Sequence, residues 1–363
     1  MSQQHVLLIL ATLCLTLASC RKEEEPPTPA DPVPIGYDHV IDVQGSVISA
    51  SGIQLAGATV ECNGLAATTD SRGVFRLRDV PVQLGPNFVR VTLSGHFNGG
   101  RQFTVLDGEA VSVKVNLLPK ALIGSFQASA GGQVSTSDGM SVVIPSNGIA
   151  NGYQGTVEVY ATYIDPTAIT GVTPFPGMEA IDANGVEGVL ISYGMGHIVL
   201  EDGNGNELQL ADGTPAQLTI PVPAASQGAA PPSIPLWYFN ETEGRWKEEG
   251  SAQLQGSDYV GEVAHFSLWN CDDFTCNTSY NVRISCGGEP YAFLPVQIVY
   301  NSGFVQGPWD TRLTTSTGHL NFSLPCAGSA ELYAFAPGSD DQLLIGTIGC
   351  VDGGGEVQHL QMD

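Results

Sequence analysis

The stretch TTDSRGVFRLRDVP, residues 68–81, places a turn directly before a strand, and the same order recurs along the chain. Its centre, DSRG at 70–73, combines an aspartate that can bond its own backbone with a glycine that accepts turn geometry. Val74, Phe75 and Leu77 then resume an alternating strand. Upstream, VIDVQGSVISASGIQLAGATVECNG, residues 40–64, alternates Val and Ile and is broken at Ser51-Gly52. This pattern predicts short strands joined by tight turns.

The composition of the whole chain extends this prediction. The 363 residues include 44 Gly and 23 Pro but only 13 Lys plus Arg, which suits many short strands and suits long helices poorly. The length predicts two or three domains. The net charge of −24 argues against nucleic-acid binding, which needs clustered Lys and Arg to neutralise phosphates. The acidic balance favours an exposed protein that stays soluble. We therefore expect an all-β fold of tandem β-sandwich modules.

The first module, residues 37–120, carries a pattern that reads G-x-V…G-x-x-L-A-G-A-x-V…T-D-x-x-G-x-F…V-P. This pattern resembles the carboxypeptidase regulatory-like domain, and the resemblance implies a seven-stranded, transthyretin-like β-sandwich without catalytic residues that acts as a spacer or docking unit. The matching residues are Gly45, Val47, Gly52, Leu55, Ala56, Gly57, Ala58, Val60, Thr69, Asp70, Gly73, Phe75, Val80 and Pro81.

The second module, residues 121–277, contains three strand-and-turn segments: GGQVSTSDGMSVVIPSNGI at 131–149, IVLEDGNGNELQLADGTPAQLTIPVP at 198–223, and IPLWYFNETEGRWKEEG at 234–250. Turns are expected at 202–205, at Asp212-Gly213 and at Glu243-Gly244. Together with HFSLWN at 265–270, the order of these motifs resembles the extracellular β-sandwich of cartilage intermediate layer protein. More distantly it resembles the ZU-type sandwich of ankyrins and netrin receptors.

The third module, residues 278–363, shows strands at LPVQIVY, TRLTTSTGHLNFSLP and SAELYAFA. Its TSTGHLNFSLP segment, residues 315–325, echoes the turn and strand of residues 69–81 but lacks the aspartate. We interpret the third module as a diverged second copy of the first, which would make the chain an array.

The N-terminus predicts export and a lipid anchor. Residues 6–19, VLLILATLCLTLAS, are an apolar run too short to span a bilayer comfortably. The run ends in Leu17-Ala18-Ser19-Cys20, which resembles the lipobox of bacterial lipoproteins. The resemblance implies cleavage of a signal peptide, residues 1–19, and acylation of Cys20. A plain secretory signal is the alternative, and the segment before the apolar run has no Lys or Arg.

Residues 20–36 follow as a flexible tether, because RKEEEPPTPADPVP is charged and then proline-rich. The charges behind Cys20 resemble the tract that sends some lipoproteins to the outer face of the outer membrane. We therefore expect a cell-surface location, with the periplasmic face as the alternative.

Cysteine usage fits an exported chain. Once Cys14 is removed with the leader and Cys20 is acylated, six cysteines remain. An even number predicts disulfides, with 15 connectivities open, and we favour pairing in the C-terminal third. Zinc binding is less favoured because no C-x-x-C pair occurs. The candidates are Cys62, Cys271, Cys276, Cys286, Cys326 and Cys350.

Two stretches are candidates for chemistry or binding. His265-Phe266-Ser267 is the tripeptide at which some self-cleaving ZU-type sandwiches break the Phe–Ser bond. The resemblance implies attack of Ser267 Oγ on the Phe266 carbonyl with His265 as base, whereas the preferred interpretation is an ordinary strand in which Phe266 packs. Trp237, Tyr238 and Trp246, near Phe239, are candidates for an aromatic sugar platform, with core packing as the alternative.

No other motif indicates an enzyme. The chain has no H-E-x-x-H and no G-x-S-x-G sequence, and the DGNGNE segment at 202–207 lacks the glycine and glutamate of a calcium loop. We expect no cofactor and no metal. The sequence predicts a non-catalytic cell-surface lipoprotein that binds a protein or carbohydrate ligand or serves as a spacer; self-cleavage and a purely structural envelope role are the alternatives.

Overall fold

The structure of the chain is a computed structural model. It describes residues 39–105, 110–169, 171–301, 306–326, 328–335, 342–349 and 358–362, with backbone only at 306–309 and 358–362. The chain from Tyr37 to Asp363 forms one compact unit. Its regular structure is β throughout the described ranges, apart from one short 3-10 turn at Ala150–Gly152. The predicted all-β class is confirmed.

The first module consists of seven strands in two sheets. One sheet has the order β4-β1-β7, with β1 and β7 parallel, and the other has the order β3-β2-β5-β6. The turn at 70–73 is present, because Asp70 Oδ1 accepts the backbone N–H groups of Arg72 and Val74. The strands are β1 (His39–Ser49), β2 (Thr59–Cys62), β3 (Leu65–Thr68), β4 (Val74–Val82), β5 (Gly85–Thr92), β6 (Gly99–Val105) and β7 (Val111–Leu117).

The second module is hydrogen-bonded as a single 12-stranded sheet, and its predicted turn at Glu243-Gly244 joins two paired strands, β16 and β17. The strands are β8 (Leu122–Gln127), β9 (Gly132–Ser135), β10 (Ser141–Ile144), β11 (Thr156–Ile164), β12 (Glu179–Ile181), β13 (Glu187–Glu201), β14 (Glu207–Leu208), β15 (Ala216–Pro221), β16 (Ser233–Asn240), β17 (Arg245–Gln255), β18 (Asp258–Val263) and β19 (Leu268–Thr275).

The third module again has two sheets. Strands β21, β20 and β24 form one sheet with β27 parallel to β20, and the other sheet has the order β23-β22-β25-β26. The strands are β20 (Asn277–Cys286), β21 (Glu289–Pro290), β22 (Pro295–Asn301), β23 (Gln306–Leu313), β24 (His319–Pro325), β25 (Ser329–Phe335), β26 (Gln342–Gly349) and β27 (Gln358–Met362).

Three apolar cores fill these sheets, and they do not coincide with the three modules. One core lies wholly in the first module, around Val43, Phe75 and Val115. A second lies wholly in the second module, around Trp269. The remaining core is continuous from the second module into the third. The second and third modules therefore share one core, whereas the first has a core of its own and packs Phe88 and Leu118 against the shared one.

No helix of the length and apolarity needed to cross a bilayer occurs in the described part of the chain.

Candidate functional site

The His265-Phe266-Ser267 tripeptide does not lie in a strand, so the expected alternation is wrong. It occupies a bend between β18 and β19. The backbone groups of Phe266 are both bonded to one side chain: its N–H donates to Gln209 Oε1 at 3.0 Å, and its carbonyl accepts from Gln209 Nε2 at 3.3 Å. Trp269 Nε1 donates to the His265 carbonyl at 3.1 Å. The side chains of Gln209 and Trp269 thus bond to backbone groups that would pair with a neighbouring strand if this segment were part of the sheet.

The geometry of this bend gives Ser267 no base. Ser267 Oγ donates to the carbonyl of Leu268 at 3.4 Å, and His265 Nε2 lies 3.6 Å from Glu249 Oε2 instead. The His265 ring also packs edge-on against Tyr238, with ring centroids 4.6 Å apart. No residue of 264–268 has a positive φ or a cis peptide bond, so neither of these sources of backbone strain is present there. Phe266 is buried in the core of the second module, as its packing role predicts.

The aromatic platform is wrong for both tryptophans. The side chains of Trp237 and Trp246 are 0% exposed, and their indole N–H groups donate to the backbone carbonyls of Asp272 and Gly177. A buried indole that finds a backbone acceptor is packed in a core and presents no face to a sugar. Tyr238 is only half-buried, but it is covered by His265.

The cysteine prediction holds for one pair. Cys276 and Cys326 form a disulfide with Cα atoms 5.5 Å apart, in the C-terminal third. Cys62 and Cys271 are buried and unpaired, and Cys286 is exposed and unpaired. Burial raises the pKa of the Cys62 thiol to about 12, so it behaves as a small apolar side chain. Cys350, like the acylation candidate Cys20, lies outside the described residues.

The segment at 202–207 is a turn. Asp202 Oδ1 accepts the N–H groups of Asn204 and Asn206, and Asn206 Nδ2 donates to its Oδ2. These bonds lower the pKa of Asp202 to about 2, with the side-chain bond from Asn206 as the largest cause. Within the described ranges, no group of three or more His, Cys, Asp or Glu side chains could hold a metal ion.

The most unusual polar feature is a buried chain of five charges that joins all three modules, here called the ionic junction. It runs Arg245–Glu179–Arg312–Asp310–Arg101, so that positive and negative groups alternate. Arg101 comes from β6 of the first module, Glu179 and Arg245 from β12 and β17 of the second, and Asp310 and Arg312 from β23 of the third. All five side chains are at most 9% exposed.

Arg101 is the best-bonded member of the ionic junction. Its Nη1 donates to Asp310 Oδ1 at 2.8 Å and to Thr173 Oγ1 at 2.7 Å. Its Nη2 donates to the Thr173 carbonyl at 2.7 Å, and its Nε to the Lys114 carbonyl at 3.3 Å. Burial lowers the pKa of the Arg101 guanidinium, and the Asp310 carboxylate opposes that change. An arginine so bonded stays charged and fixes one module against the other two.

Gln102, the neighbour of Arg101, bonds only to backbone. Its Nε2 donates to the carbonyls of Glu179 and Gly244 at 3.0 and 2.8 Å, and its Oε1 accepts the Glu179 N–H at 3.1 Å. Gly244 has φ +63° and its Cα lies against Phe88, leaving no room for a Cβ. The Phe97 ring also stacks on His197 with centroids 4.4 Å apart. The first module therefore docks on the second through close, specific contacts.

Sequence reasoning did not single out any member of the ionic junction. A signal was present: Arg101 and Gln102 stand inside RQFTV and Arg312 inside WDTRL, both strand-like stretches in a chain poor in basic residues. A charged residue inside a strand is solvent-exposed or paired in a buried site, and the sequence does not say which. Partners from three modules cannot be paired without the fold.

Comparisons with known proteins identify no relative by sequence: no family model matches the chain, and no curated protein does. Solved structures that it resembles include the Bacillus anthracis TIE protein, at 13% identity and a TM-score of 0.20, covering 90% of this chain and 50% of that one. They also include the Bacillus cereus major pilin BcpA, at 11% and 0.18, covering 89% and 98%. The Corynebacterium diphtheriae major pilin SpaD matches at 9% and 0.20, covering 92% and 99%. This chain thus spans half the length of the TIE protein, and no function is carried over from any of the three.

Proposed function

We propose that this chain is a non-catalytic, lipid-anchored surface protein whose three β modules act as one body. The observation that carries the proposal is the ionic junction, because Arg101, Glu179 and Asp310 each come from a different module and are all buried together. Modules that moved independently on flexible linkers would keep such charges in water, since an unpaired buried charge costs several kcal/mol. A fixed body suits a structural or adhesive role.

The anchoring part of the proposal rests on the lipobox resemblance at Cys20. The acylated N-terminus would hold the body at a membrane, and the outward-facing side of the outer membrane is the expected location. The proposed first module, a carboxypeptidase regulatory-like sandwich, would act there as a docking or spacing unit. A protein or carbohydrate surface is the expected partner.

Fractionation of cells expressing the full chain tests the anchor. Cys20→Ser should move the protein from the outer-membrane fraction to the soluble or inner-membrane fraction, because the acyl acceptor is lost. Cys14→Ser is the matched control and should leave the location unchanged, since the acceptor cysteine remains. Unchanged partitioning of the Cys20→Ser protein would refute the anchor.

Protease added to intact cells tests the surface location, and full protection of the modules would place them in the periplasm. A pull-down with the purified chain from the native cell surface separates binding from spacing. Recovery of a defined protein or glycan that competes with added chain supports binding, and recovery of nothing supports the spacer.

A further inference from the structure

A histidine of the second module is covered by the first module. His197 lies on β13, where its backbone pairs with Thr162 of β11 and Leu268 of β19. Its imidazole ring stacks on the ring of Phe97, which belongs to the loop between β5 and β6 of the first module, with 25° between the ring planes. His197 and Phe97 are 7% and 1% exposed. The contact between the two modules therefore keeps this imidazole out of water.

The space beside the ring is too small to hydrate a charged imidazolium. A crevice between the two modules adjoins His197 and has a volume of about 20 Å³, which is room for about one water molecule. Its walls include Phe88 of the first module and Phe239 and Leu268 of the second. One water can bond a neutral imidazole, whereas an imidazolium has two N–H donors and loses its hydration shell here. The site therefore favours the neutral ring.

Glu241 is the charged side chain that lines this crevice, and it is already paired. Its Oε2 accepts from Arg90 Nε at 2.6 Å and from Asn98 Nδ2 at 3.5 Å, and both of these donors come from the first module. His96, in the same loop as Asn98, has its Nδ1 3.3 Å from a backbone carbonyl. Because Glu241 is neutralised by Arg90 and His96 carries no negative charge, neither of them balances a charge on His197.

The carboxylates on the neighbouring strands are engaged as well. Glu201, four positions along β13, is paired with Lys120, and Glu158 of β11 accepts a tyrosine hydroxyl at 2.9 Å. Asp272 of β19 is buried and accepts from an asparagine. Burial alone lowers the pKa of His197, to about 3, so no counter-charge among the described residues opposes the effect of burial.

Docking of the first module and protonation of His197 therefore oppose each other. In separated modules the ring is hydrated and has the ordinary histidine pKa of about 6.5. Above that value the ring is neutral in both states, and docking is fully stabilised. As the pH falls below it, only the separated state takes up the proton. The docking equilibrium then weakens by up to about tenfold per pH unit until the lowered pKa of the docked state is reached.

We propose that His197 is a pH-sensitive switch for the docking of the first module. At neutral pH the uncharged imidazole stacks on Phe97 and the three modules form one body, whereas protonation of the ring in a mildly acidic medium releases the first module. The second and third modules stay together, because they share a core. The switch rests on the one-body arrangement of the proposed function and does not depend on the membrane anchor.

The backbone amide of Gln102 reports on docking, because its N–H donates to the carbonyl of Pro176 across the module contact at 2.8 Å. Hydrogen–deuterium exchange of the full chain at pH 7, 6 and 5 measures its protection relative to an unstructured chain at the same pH. We expect strong protection at pH 7 and a loss of about tenfold between pH 6 and pH 5. An amide unprotected at pH 7 would overturn both the one-body arrangement and the switch, whereas equal protection at pH 7 and pH 5 would overturn only the switch.

His197→Phe tests whether the imidazole causes this loss. Phenylalanine keeps a ring that can stack on Phe97 but takes up no proton, so the protection of Gln102 should stay within about twofold from pH 7 to pH 5. His197→Gln, which is also uncharged at every pH, should remove the response in the same way. His265→Phe is the matched control: it removes a histidine whose ring packs on Tyr238 of its own module, and it should respond as the parent does. A loss of the parent's size in either His197 variant, or no loss in the control, would contradict the proposal.

A second amide separates release of the first module from unfolding of the whole chain. The N–H of Ile284 donates to the Gly318 carbonyl at 2.9 Å, and Ile284 lies in the core shared by the second and third modules. Its protection should be the same at pH 7 and pH 5 while that of Gln102 falls. A parallel loss at both amides would mean that acid unfolds the entire chain, which contradicts a switch confined to the first module.

Discussion

The first and third modules place seven strands in the same order. In the first, β4-β1-β7 faces β3-β2-β5-β6; in the third, β24-β20-β27 faces β23-β22-β25-β26. The last strand is parallel to the first in both cases. Within the described residues, the third module adds only the two-residue strand β21. This is the arrangement that a diverged copy of the first module would have.

The turns of the two modules agree in detail. Gly73 and Gly318 have φ of +70° and +82°, and their carbonyls accept from Val47 and Ile284 at 2.8 and 2.9 Å. A Cβ on either glycine would stand 2.7 or 2.6 Å from the backbone oxygen of that same strand residue. Only glycine fits such a position, in which φ is positive and another backbone is in contact.

The first and third modules differ in which residues form their apolar cores. The core of the first module contains only its own residues, whereas the core of the third continues into the second module. The edge strands of the two modules differ in burial, and here the strand of the first module is the more buried one. β6 is largely buried and carries Arg101, whereas β26, its equivalent, exposes Leu343 and Leu344 by 57% and 49%. Two sandwiches with the same strand order can therefore bury different surfaces. Which surface is buried depends on the modules that pack against the sandwich.

The largest expected effect comes from one buried leucine in each of the two corresponding strands, β4 and β24. Leu77 pairs with Val43 of β1, Leu320 pairs with Val282 of β20, and both leucines are buried. Leu→Ala at either position should cost about 2–5 kcal/mol of unfolding free energy through lost burial and a cavity. The distinguishing result is where hydrogen exchange rises. We expect Leu320→Ala to raise it in β12 of the second module and Leu77→Ala to raise it only in the first.

Hydrogen–deuterium exchange with peptide resolution measures this directly. A Leu320→Ala protein whose faster exchange stops at the boundary of the third module would show that the shared core is not cooperative.

A smaller loss of unfolding free energy is expected from removing the disulfide, which has no counterpart among the described residues of the first module. The disulfide Cys276–Cys326 links the end of the second module to the third across a sequence separation of 50 residues, while Cys62 of the first module stays a buried thiol. Replacing both disulfide cysteines by serine should cost about 2–4 kcal/mol, because the unfolded chain gains freedom. Urea unfolding measures the cost. Cys62→Ala is the control and should cost about 1–2 kcal/mol, the range of a small core truncation. A double variant as stable as the parent would contradict the assigned role.

The smallest effect concerns pH. Hydrogen bonds from Val74 N–H and then Arg72 N–H lower the pKa of Asp70, whereas Thr315 holds the equivalent turn by accepting the His319 N–H at 3.1 Å. A lowered pKa stabilises the fold above the ordinary value of about 3.9 and loses that contribution as the pH falls through the lowered pKa. Asp70→Thr should therefore flatten the acid limb of the stability curve, and Thr315→Asp should steepen it.

Unfolding free energies of the Asp70→Thr and Thr315→Asp proteins, measured from pH 6 down to pH 2, test this prediction. Identical acid limbs for the parent and the Asp70→Thr protein would show that the aspartate adds nothing through its charge.

Most of the fold was predictable because its determinants are local. The turns at 70–73 and 202–205 follow from an Asp and a Gly three residues apart, and the turn at 243–244 from an adjacent Glu and Gly. The alternation of Val and Ile marks neighbouring strands. The same local reasoning was wrong at Phe266. Its backbone is bonded to Gln209, which lies more than 50 residues away in sequence. An alternating pattern cannot show that the backbone N–H and C=O groups of a residue are hydrogen-bonded to a distant side chain and not to a neighbouring strand.

The ionic junction could not be predicted for a related reason. Arg101 and Asp310 are separated by 209 residues, and their contact depends on how three modules dock. The burial of Trp237 and Trp246 likewise depends on the surface shared by the second and third modules. Residue type and spacing describe each strand well and say little about which strand faces another module.

Scanning calorimetry on the full chain tests the central claim, that the ionic junction makes the modules one body. We predict a single unfolding transition whose calorimetric and van't Hoff enthalpies agree, as in a cooperative unit. Asp310→Ala leaves Arg101 buried without its carboxylate, which should cost about 3–5 kcal/mol and split off an earlier transition for the first module. Arg72→Ala, which removes an exposed ion pair with Asp70, should leave the single transition intact. Separate transitions in the parent chain, or an unchanged single transition in the Asp310→Ala protein, would contradict the account.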